Sequence, residues 1–260
     1  VGDVTVPSIH PAAAEGFASN ADDYERTRPG YPPDAVAYLV DVLGLRPGAT
    51  LADVAAGTGK LTRLLVPSGA HVIAVEPIAE MRAYLEATCP GVEVVDGVAE
   101  DLPLPDASAD AVTVAQAFHW FDARRALVSL ARVLRPGGAL AVVYNNRDRR
   151  TPWLAEVNRV VESHREATPH HWDGSWLAAF ADDPSFVPLG RTEFDNPQAL
   201  TPDEFVGRVR SLSYVGAMAP AEQGELLASV RDVLATHPAT AGRDRLVVGQ
   251  ATSVHVWRRR

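Results

Sequence analysis

Asp53-Val54-Ala55-Ala56-Gly57-Thr58-Gly59-Lys60 overlaps the end of an apolar run, Leu51–Ala55, and precedes a helix-like stretch. A strand that ends in a G-x-G turn lets the backbone approach a ligand closely, because glycine has no Cβ, and the helix start that follows offers unpaired N–H donors. Taken alone, the same pattern suits a plain strand-to-helix turn. The flanking sequence decides. Further apolar runs at Val72–Val75, Val92–Val95, Ala111–Ala115 and Leu140–Tyr144 lack clear alternation, as strands covered on both faces do. Helix-like segments separate them. The spacing therefore predicts an α/β fold built on a parallel sheet.

The connecting segments carry their own punctuation. Asp34 is placed to cap a helix whose Val36, Leu39, Val40 and Leu43 share one face, with Gly44 where it would stop. Asp122 is placed to cap a second, carrying Ala126, Leu127, Leu130 and Leu134, which ends at Arg135-Pro136-Gly137-Gly138 where the glycine pair turns the chain. After Asn145 the pattern becomes irregular. Helices are expected from Pro152 to about Ala167 after a Thr151 cap, from Thr201-Pro202-Asp203-Glu204 onward, and over Ala221–Ala235. Strands are expected at Gly190–Asp195 and Leu246–Trp257.

With 260 residues, 47% of them hydrophobic, the chain can bury a full core. Its formal charge of −9 argues against a nucleic-acid partner, which calls for a basic face, and favours a small molecule. Cys89 is the single cysteine, so neither an intrachain disulfide nor a cysteine cluster for structural zinc is available, and a reducing compartment is expected. No apolar run approaches membrane length, so a cytoplasmic protein without a membrane partner is expected. Arg258, Arg259 and Arg260 read as a solvated tail.

Glu76 ends the second apolar run, where one carboxylate can take both hydroxyls of a ribose. The third glycine of a dinucleotide fingerprint would fall at Thr62, so close approach of the helix to a pyrophosphate is not supported. An NAD-linked oxidoreductase is thus the alternative reading, and a ligand-binding protein without turnover is a third.

In order along residues 17–148 stand Tyr24-Glu25-Arg26-Thr27-Arg28-Pro29-Gly30-Tyr31-Pro32, the Asp53–Lys60 loop, Val75-Glu76-Pro77 with Met81, Gly97-Val98-Ala99-Glu100-Asp101-Leu102-Pro103, Gln116-Ala117-Phe118-His119-Trp120-Phe121 and Arg132-Val133-Leu134-Arg135-Pro136-Gly137-Gly138. This series resembles the class I S-adenosylmethionine-dependent methyltransferases, most closely the branch of trans-aconitate methyltransferase-like proteins. The resemblance implies a Rossmann-like seven-stranded sheet with an antiparallel last strand and helices on both faces. It implies S-adenosylmethionine as cofactor, S-adenosylhomocysteine as its product and no metal, with methyl transfer to an oxygen, or a nitrogen or carbon, of a small-molecule metabolite. Residues 1–145 would form the cofactor-binding core with an N-terminal cover, 146–245 a mostly helical substrate-covering insertion with one core strand, and 246–260 the closing strand and tail.

By the same resemblance Asp53, Ala55, Gly57 and Gly59 would surround the methionine part, Glu76 the ribose, and Pro77 and Met81 the adenine. Ala99 and Glu100 would lie at the adenine edge, and Gln116 and Ala117 beneath the sulfonium. Tyr24 and Arg28 would belong to the cover, with Arg28 facing the cofactor carboxylate. Val98 departs from the polar residue that many relatives place before the Ala-Glu pair, which leaves Glu100 or backbone groups to reach the adenine amino group.

For the acceptor, Tyr31, His119, Trp120 and Trp172 are the candidate contacts. Two readings stand for His119: a general base following the fourth strand, or a wall of the pocket. His170-His171 lacks the spacing of a metal motif, since neighbours on an extended chain point to opposite sides. Arg147, Arg149 and Arg150 suit either a carboxylate-bearing acceptor or a solvated linker.

Overall fold

A computed structural model of the chain describes residues 25, 27–148, 150–164 and 169–260. The apolar runs form strands β1 (Thr50–Val54), β2 (His71–Val75), β3 (Glu93–Val95), β4 (Ala109–Ala115) and β5 (Leu134–Arg147), all paired in parallel in the order 3-2-1-4-5. Burial on both faces explains their unbroken apolar character: Leu51 and Ala52, neighbours pointing to opposite sides of β1, are both fully buried. Helices α1 (Pro33–Val42), α2 (Thr62–Leu65), α3 (Ala79–Thr88) and α4 (Ala123–Val133) flank the sheet. Two further strands, β6 (Phe186–Asp195) and β9 (Gln250–Arg259), complete a seven-stranded sheet in the order 3-2-1-4-5-9-6, with β9 antiparallel to both neighbours. The expected seven-stranded, Rossmann-like sheet with its antiparallel last strand is thus present.

A second apolar core lies in the helical part. It gathers α5 (Pro152–Glu162), α7 (Pro202–Arg210) and α9 (Pro220–Thr236) around Trp153, Val157, Phe205, Val209 and Val230. The short helices α6 (Ala178–Ala181) and α8 (Ser213–Gly216) and the antiparallel pair β7 (Gln198–Leu200) and β8 (Leu246–Val248) accompany it. The capping box expected at Thr201 is complete: Thr201 Oγ1 accepts the Glu204 amide at 3.2 Å and Glu204 Oε2 accepts the Thr201 amide at 2.7 Å.

Several local expectations need correction. Asp34 does not cap α1; Pro32 holds the cap position and Asp34 lies in the first turn, where its charge still favours the helix dipole. Thr151 stands at the head of α5, but its hydroxyl turns to Asp148 and makes no cap bond. The Arg135–Gly138 segment is not a separating turn. It runs inside β5 across a register shift, so that Ala109 pairs with Leu134 and Ala111 with Ala139. The closing run divides at Gly249 into β8 and β9, one serving the helical part and the other the main sheet. Tyr24, Arg149 and the expected end of α5 near residues 165–168 lie outside the described residues.

Candidate active site

In this strand order the direction of winding reverses between β1 and β4, and a crevice opens there above the carboxyl ends of the strands. Both strands leave the sheet in an unusual backbone conformation. Ala55, just past β1, has φ +54°, and Gln116, just past β4, has φ +61°. Side-chain-bearing residues pay for that left-handed region with about 1–2 kcal/mol each, so two of them facing one crevice mark a site whose shape the surrounding fold enforces.

Beneath the crevice the glycine loop is tied down by acids. Asp53, at 1% exposure, accepts the Thr62 hydroxyl at 2.6 Å and the Thr113 hydroxyl at 2.7 Å, one on each oxygen. Burial raises its pKa to about 6 against those two bonds. The position of the missing third glycine is therefore filled by a side chain that braces Asp53. Glu76, after β2, accepts the Gly57 amide at 2.8 Å and the Ile78 amide at 2.9 Å on separate oxygens. Burial, only partly opposed by these bonds, raises its pKa to about 7. Each Glu76 oxygen keeps a lone pair for another donor. Gly59 sits at φ +82°, and a Cβ there would stand 2.9 Å from Cys89 Sγ and 3.2 Å from Leu85 Cγ, so the loop packs on α3 only as glycine.

Met81 is buried beside the loop, its Sδ 3.5 Å from where a Cβ on Gly57 would be, and Ala99 is buried in the core around β4. Pro77 follows Glu76 into α3, and Ala117 packs half-buried on the core that contains Ala99. Glu100 is engaged locally: its Oε1 accepts the Asp122 amide at 2.8 Å, which secures the head of α4. Arg28 donates through Nε to Ser211 Oγ at 3.0 Å and through Nη2 to Ser211 O at 2.9 Å, so the N-terminal segment is fastened to the end of α7.

Beside the crevice is a cavity of about 140 Å³. Tyr31, His119, Trp120 and Trp172 all line it, together with Gln116. Trp172 is 38% exposed and stacks on His170 at 4.3 Å. Trp176, by contrast, is a core residue between Phe118, Tyr144 and Trp257. His170 and His171, expected to point to opposite sides, both line the cavity, with His171 stacking flat on Tyr144 at 4.3 Å. Among the described residues no three His, Cys, Asp or Glu side chains group to hold a metal ion.

Tyr144 fixes His119. Its buried hydroxyl oxygen accepts the His119 amide N–H at 3.0 Å, and the same hydroxyl lies 3.2 Å from His119 Nδ1, a contact in which the tautomer of the ring decides the donor. An imidazole that accepts at Nδ1 carries its own proton on Nε2. Burial, then the charges of His171, His170 and Arg28, hold the His119 pKa well below the usual histidine range, so the ring is neutral at pH 7.

Three contributors escaped the sequence reading. Glu25 binds the Thr58 hydroxyl at 2.7 Å and pairs with Arg63 and Lys60, locking the N-terminal segment onto the glycine loop. Tyr144 was read only as a strand residue. Arg208 lies on the buried face of α7 at 5% exposure, three residues after Phe205 and one before Val209. A charge on the apolar stripe of an amphipathic helix was the available signal.

A model of the methyltransferase domain matches residues 52–142, which run from the glycine loop to β5. An uncharacterized methyltransferase of Mycobacterium tuberculosis is 39% identical over 237 residues, covering 91% of this chain and 92% of the relative. The chain belongs to the class I S-adenosylmethionine-dependent methyltransferases. A methyltransferase-like protein of Schizosaccharomyces pombe is 30% identical to this methyltransferase over 231 residues, 88% of this chain and 90% of the relative. Among solved structures, a type II methyltransferase from Anaeromyxobacter dehalogenans superimposes with a TM-score of 0.68 at 25% identity, covering 89% of this chain and 97% of that one. Both relatives extend through the helical part of this methyltransferase as well as its sheet. No described helix is long and apolar enough to cross a membrane.

Proposed function

We propose that this methyltransferase moves the methyl group of S-adenosylmethionine onto an oxygen, or alternatively a nitrogen or carbon, of a small-molecule metabolite held in the cavity beside Gln116 and His119. The observation that carries the reading is Glu76. A buried carboxylate raised to a pKa of about 7, with a lone pair left on each oxygen, suits the two hydroxyls of a ribose, whose donors would stabilise its ionised form. Gln116 adds a second observation of fit: its Nε2 is buried and has no hydrogen-bond partner among the described residues.

In this reading Glu76 holds the ribose, the Ala55–Gly59 loop and Asp53 form the floor under the methionine part, and Pro77, Met81 and Ala99 flank the adenine. Asp53 braces the loop through Thr62 and ties it to β4 through Thr113. Arg28 covers the methionine end, while Glu100 supports α4 beside the adenine edge. Gln116 and Ala117 lie between cofactor and acceptor. The cofactor, when bound, supplies a methyl group on positively charged sulfur, which needs no acid to help it leave. The protein's work is then alignment and exclusion of water. Tyr31, Trp120 and Trp172 wall the cavity, and His119 faces the acceptor with the ring nitrogen not engaged by Tyr144. In this reading Nδ1 takes the Tyr144 proton and Nε2 carries the ring's own, which makes the resting His119 a donor that orients the acceptor rather than a base.

Calorimetric titration with S-adenosylmethionine, S-adenosylhomocysteine and NAD tests the reading. Both sulfur nucleosides are expected to bind; tighter binding of NAD would overturn it.

A further inference from the structure

The polar groups that line the cavity are biased toward one kind of ligand. Arg28, Lys60, Arg147 and Arg208 all contribute to its wall, and no Asp or Glu does among the described lining residues, although the chain as a whole carries a net charge of −9. His119 adds a ring nitrogen, an N–H donor when Nδ1 accepts the Tyr144 proton, and Gln116 adds the buried amide described above. One potential acceptor is already used: Asn145 Oδ1 takes the Thr252 hydroxyl at 2.6 Å and the Asn196 amide at 3.1 Å. The formally charged side chains of the described lining are thus all cationic.

Arg208 is the most informative member. Its guanidinium is almost wholly buried, and it donates through Nη1 to Gln198 Oε1 and through Nη2 to Gln250 Oε1, both at 2.7 Å. Both partners are neutral amides. A buried guanidinium without a carboxylate is costly, and here burial together with the charges of Arg147 and Arg28 works against its ionised form. A fold that needed only packing on this stripe of α7 would be served by an apolar side chain of similar size. Instead one glutamine from β7 and one from β9 hold the fork in a fixed orientation, which is how a site is prepared for an oxyanion. The glycine loop, Glu76 and Gln116 belong to the sheet, whereas Arg208 comes from the helical part, on the acceptor's side.

We propose that the methyl acceptor carries a carboxylate or phosphate group and that Arg208 seats it. The inference rests on the methyltransferase reading above for its assignment to the acceptor. The anion restores charge balance to Arg208, while His119 and Gln116 donate to its oxygens or to those beside the methylated atom. Orientation by a fixed charged fork presents one atom of a flexible acid to the methyl group.

The test uses the whole chain. Titration with S-adenosylhomocysteine first reports on the cofactor site by itself. The loaded protein is then titrated with succinate, citrate, inorganic phosphate and, as the uncharged control, dimethyl succinate, all at matched ionic strength. At least one anion should bind where the diester does not, and preference between the carboxylates and phosphate names the group. Arg208→Met should weaken that anion at least tenfold and leave S-adenosylhomocysteine affinity within about twofold. Should the variant fail to fold, a higher melting temperature of the wild type in succinate than in its diester supports the proposal, and equal melting temperatures overturn it. Normal cofactor binding with no anion preferred over the diester overturns it, as does unchanged anion affinity in folded Arg208→Met. Failure to bind S-adenosylhomocysteine would sink the cofactor reading alone, since the anion titrations can also be run on the unloaded protein.

Discussion

The Tyr144 hydroxyl stands 3.0 Å from the amide nitrogen of His119 and 3.2 Å from its Nδ1, and so connects a buried position of β5 to the residue that follows β4 in the crevice. One oxygen thereby holds the His119 backbone and, by donating to Nδ1, would place the ring proton on Nε2. In ¹⁵N-labelled histidine spectra His119 should show a protonated Nε2 at pH 7. Tyr144→Phe removes the proton that Nδ1 accepts, and its spectrum should shift toward a mixture of both tautomers. A wild-type spectrum with the proton on Nδ1 would refute the assignment.

Glu76→Ala should lower affinity for S-adenosylhomocysteine at least tenfold. Two hydrogen bonds to a charged acceptor, roughly 1.5–3 kcal/mol each before water compensates, would be lost. The amides of Gly57 and Ile78 also lose their acceptor, so the loop itself should loosen. An unchanged dissociation constant in the folded variant, measured by calorimetry, would remove Glu76 from the ribose site.

The raised acids give the unliganded protein a pH dependence of definite sign. Glu76 titrates near 7 and Asp53 near 6 in the folded chain, against ordinary values of 4.5 and 3.8. Between the unfolded and folded values the native state binds more protons, so these groups contribute stability that is full below about pH 4 and lost as pH rises through 6 and 7. Melting temperatures from pH 5 to 8 should therefore fall more steeply in the wild type than in Glu76→Gln, whatever the variant's absolute stability. S-adenosylhomocysteine affinity should rise over the same interval, because ribose donors favour ionised Glu76. Parallel melting curves for the two proteins would count against a raised Glu76.

The two glycines of the loop separate packing from binding. A Cβ on Gly59 would press on Cys89 and Leu85, whereas one on Gly57 has Met81 Sδ at an ordinary 3.5 Å. Both need positive φ, at about 1–2 kcal/mol for a side-chain-bearing residue. Gly59→Ala should thus lower the melting temperature more than Gly57→Ala does. Gly57→Val, with its branches toward the ligand, should abolish cofactor binding in a folded protein. Normal S-adenosylhomocysteine binding by Gly57→Val would make the loop a structural turn only.

The sheet was legible because strands buried on both faces must be apolar throughout, and the positions of Gly57, Glu76 and His119 relative to the strand ends followed from the same runs. Capping was legible where the side chain had no rival, as at Asp122 and Thr201, and misread where it had one: proline already fills the head of α1, and Asp148 diverts Thr151. The acceptor side was harder to read. Arg208 meets Gln198 and Gln250, which lie 10 and 42 residues away along the chain, and no local spacing announces that meeting. Tyr144 likewise reads as one more apolar strand residue until the fold brings β5 beside the end of β4.

His119 can be tested apart from the cofactor, because its neighbours in the site are the cavity walls and Tyr144. If Nε2–H orients the acceptor, His119→Ala should lower kcat/KM for the true acceptor by roughly 10–100-fold, the range expected for loss of one well-placed hydrogen bond. Cofactor affinity should stay near normal. His119→Gln offers an amide N–H of similar reach but no comparable base, so it should recover much of the loss. A general base predicts a different pair of results: both variants would lose roughly 10²–10⁴-fold in kcat, and glutamine would rescue nothing. The pH profile gives a further distinction. Burial keeps His119 neutral across the physiological range, so an orienting donor leaves kcat without a histidine limb between pH 6 and 8, once acceptor ionisation is corrected for. Failure of glutamine to rescue, together with a limb that disappears in His119→Gln, would restore the base and require the Tyr144 proton to move during the reaction.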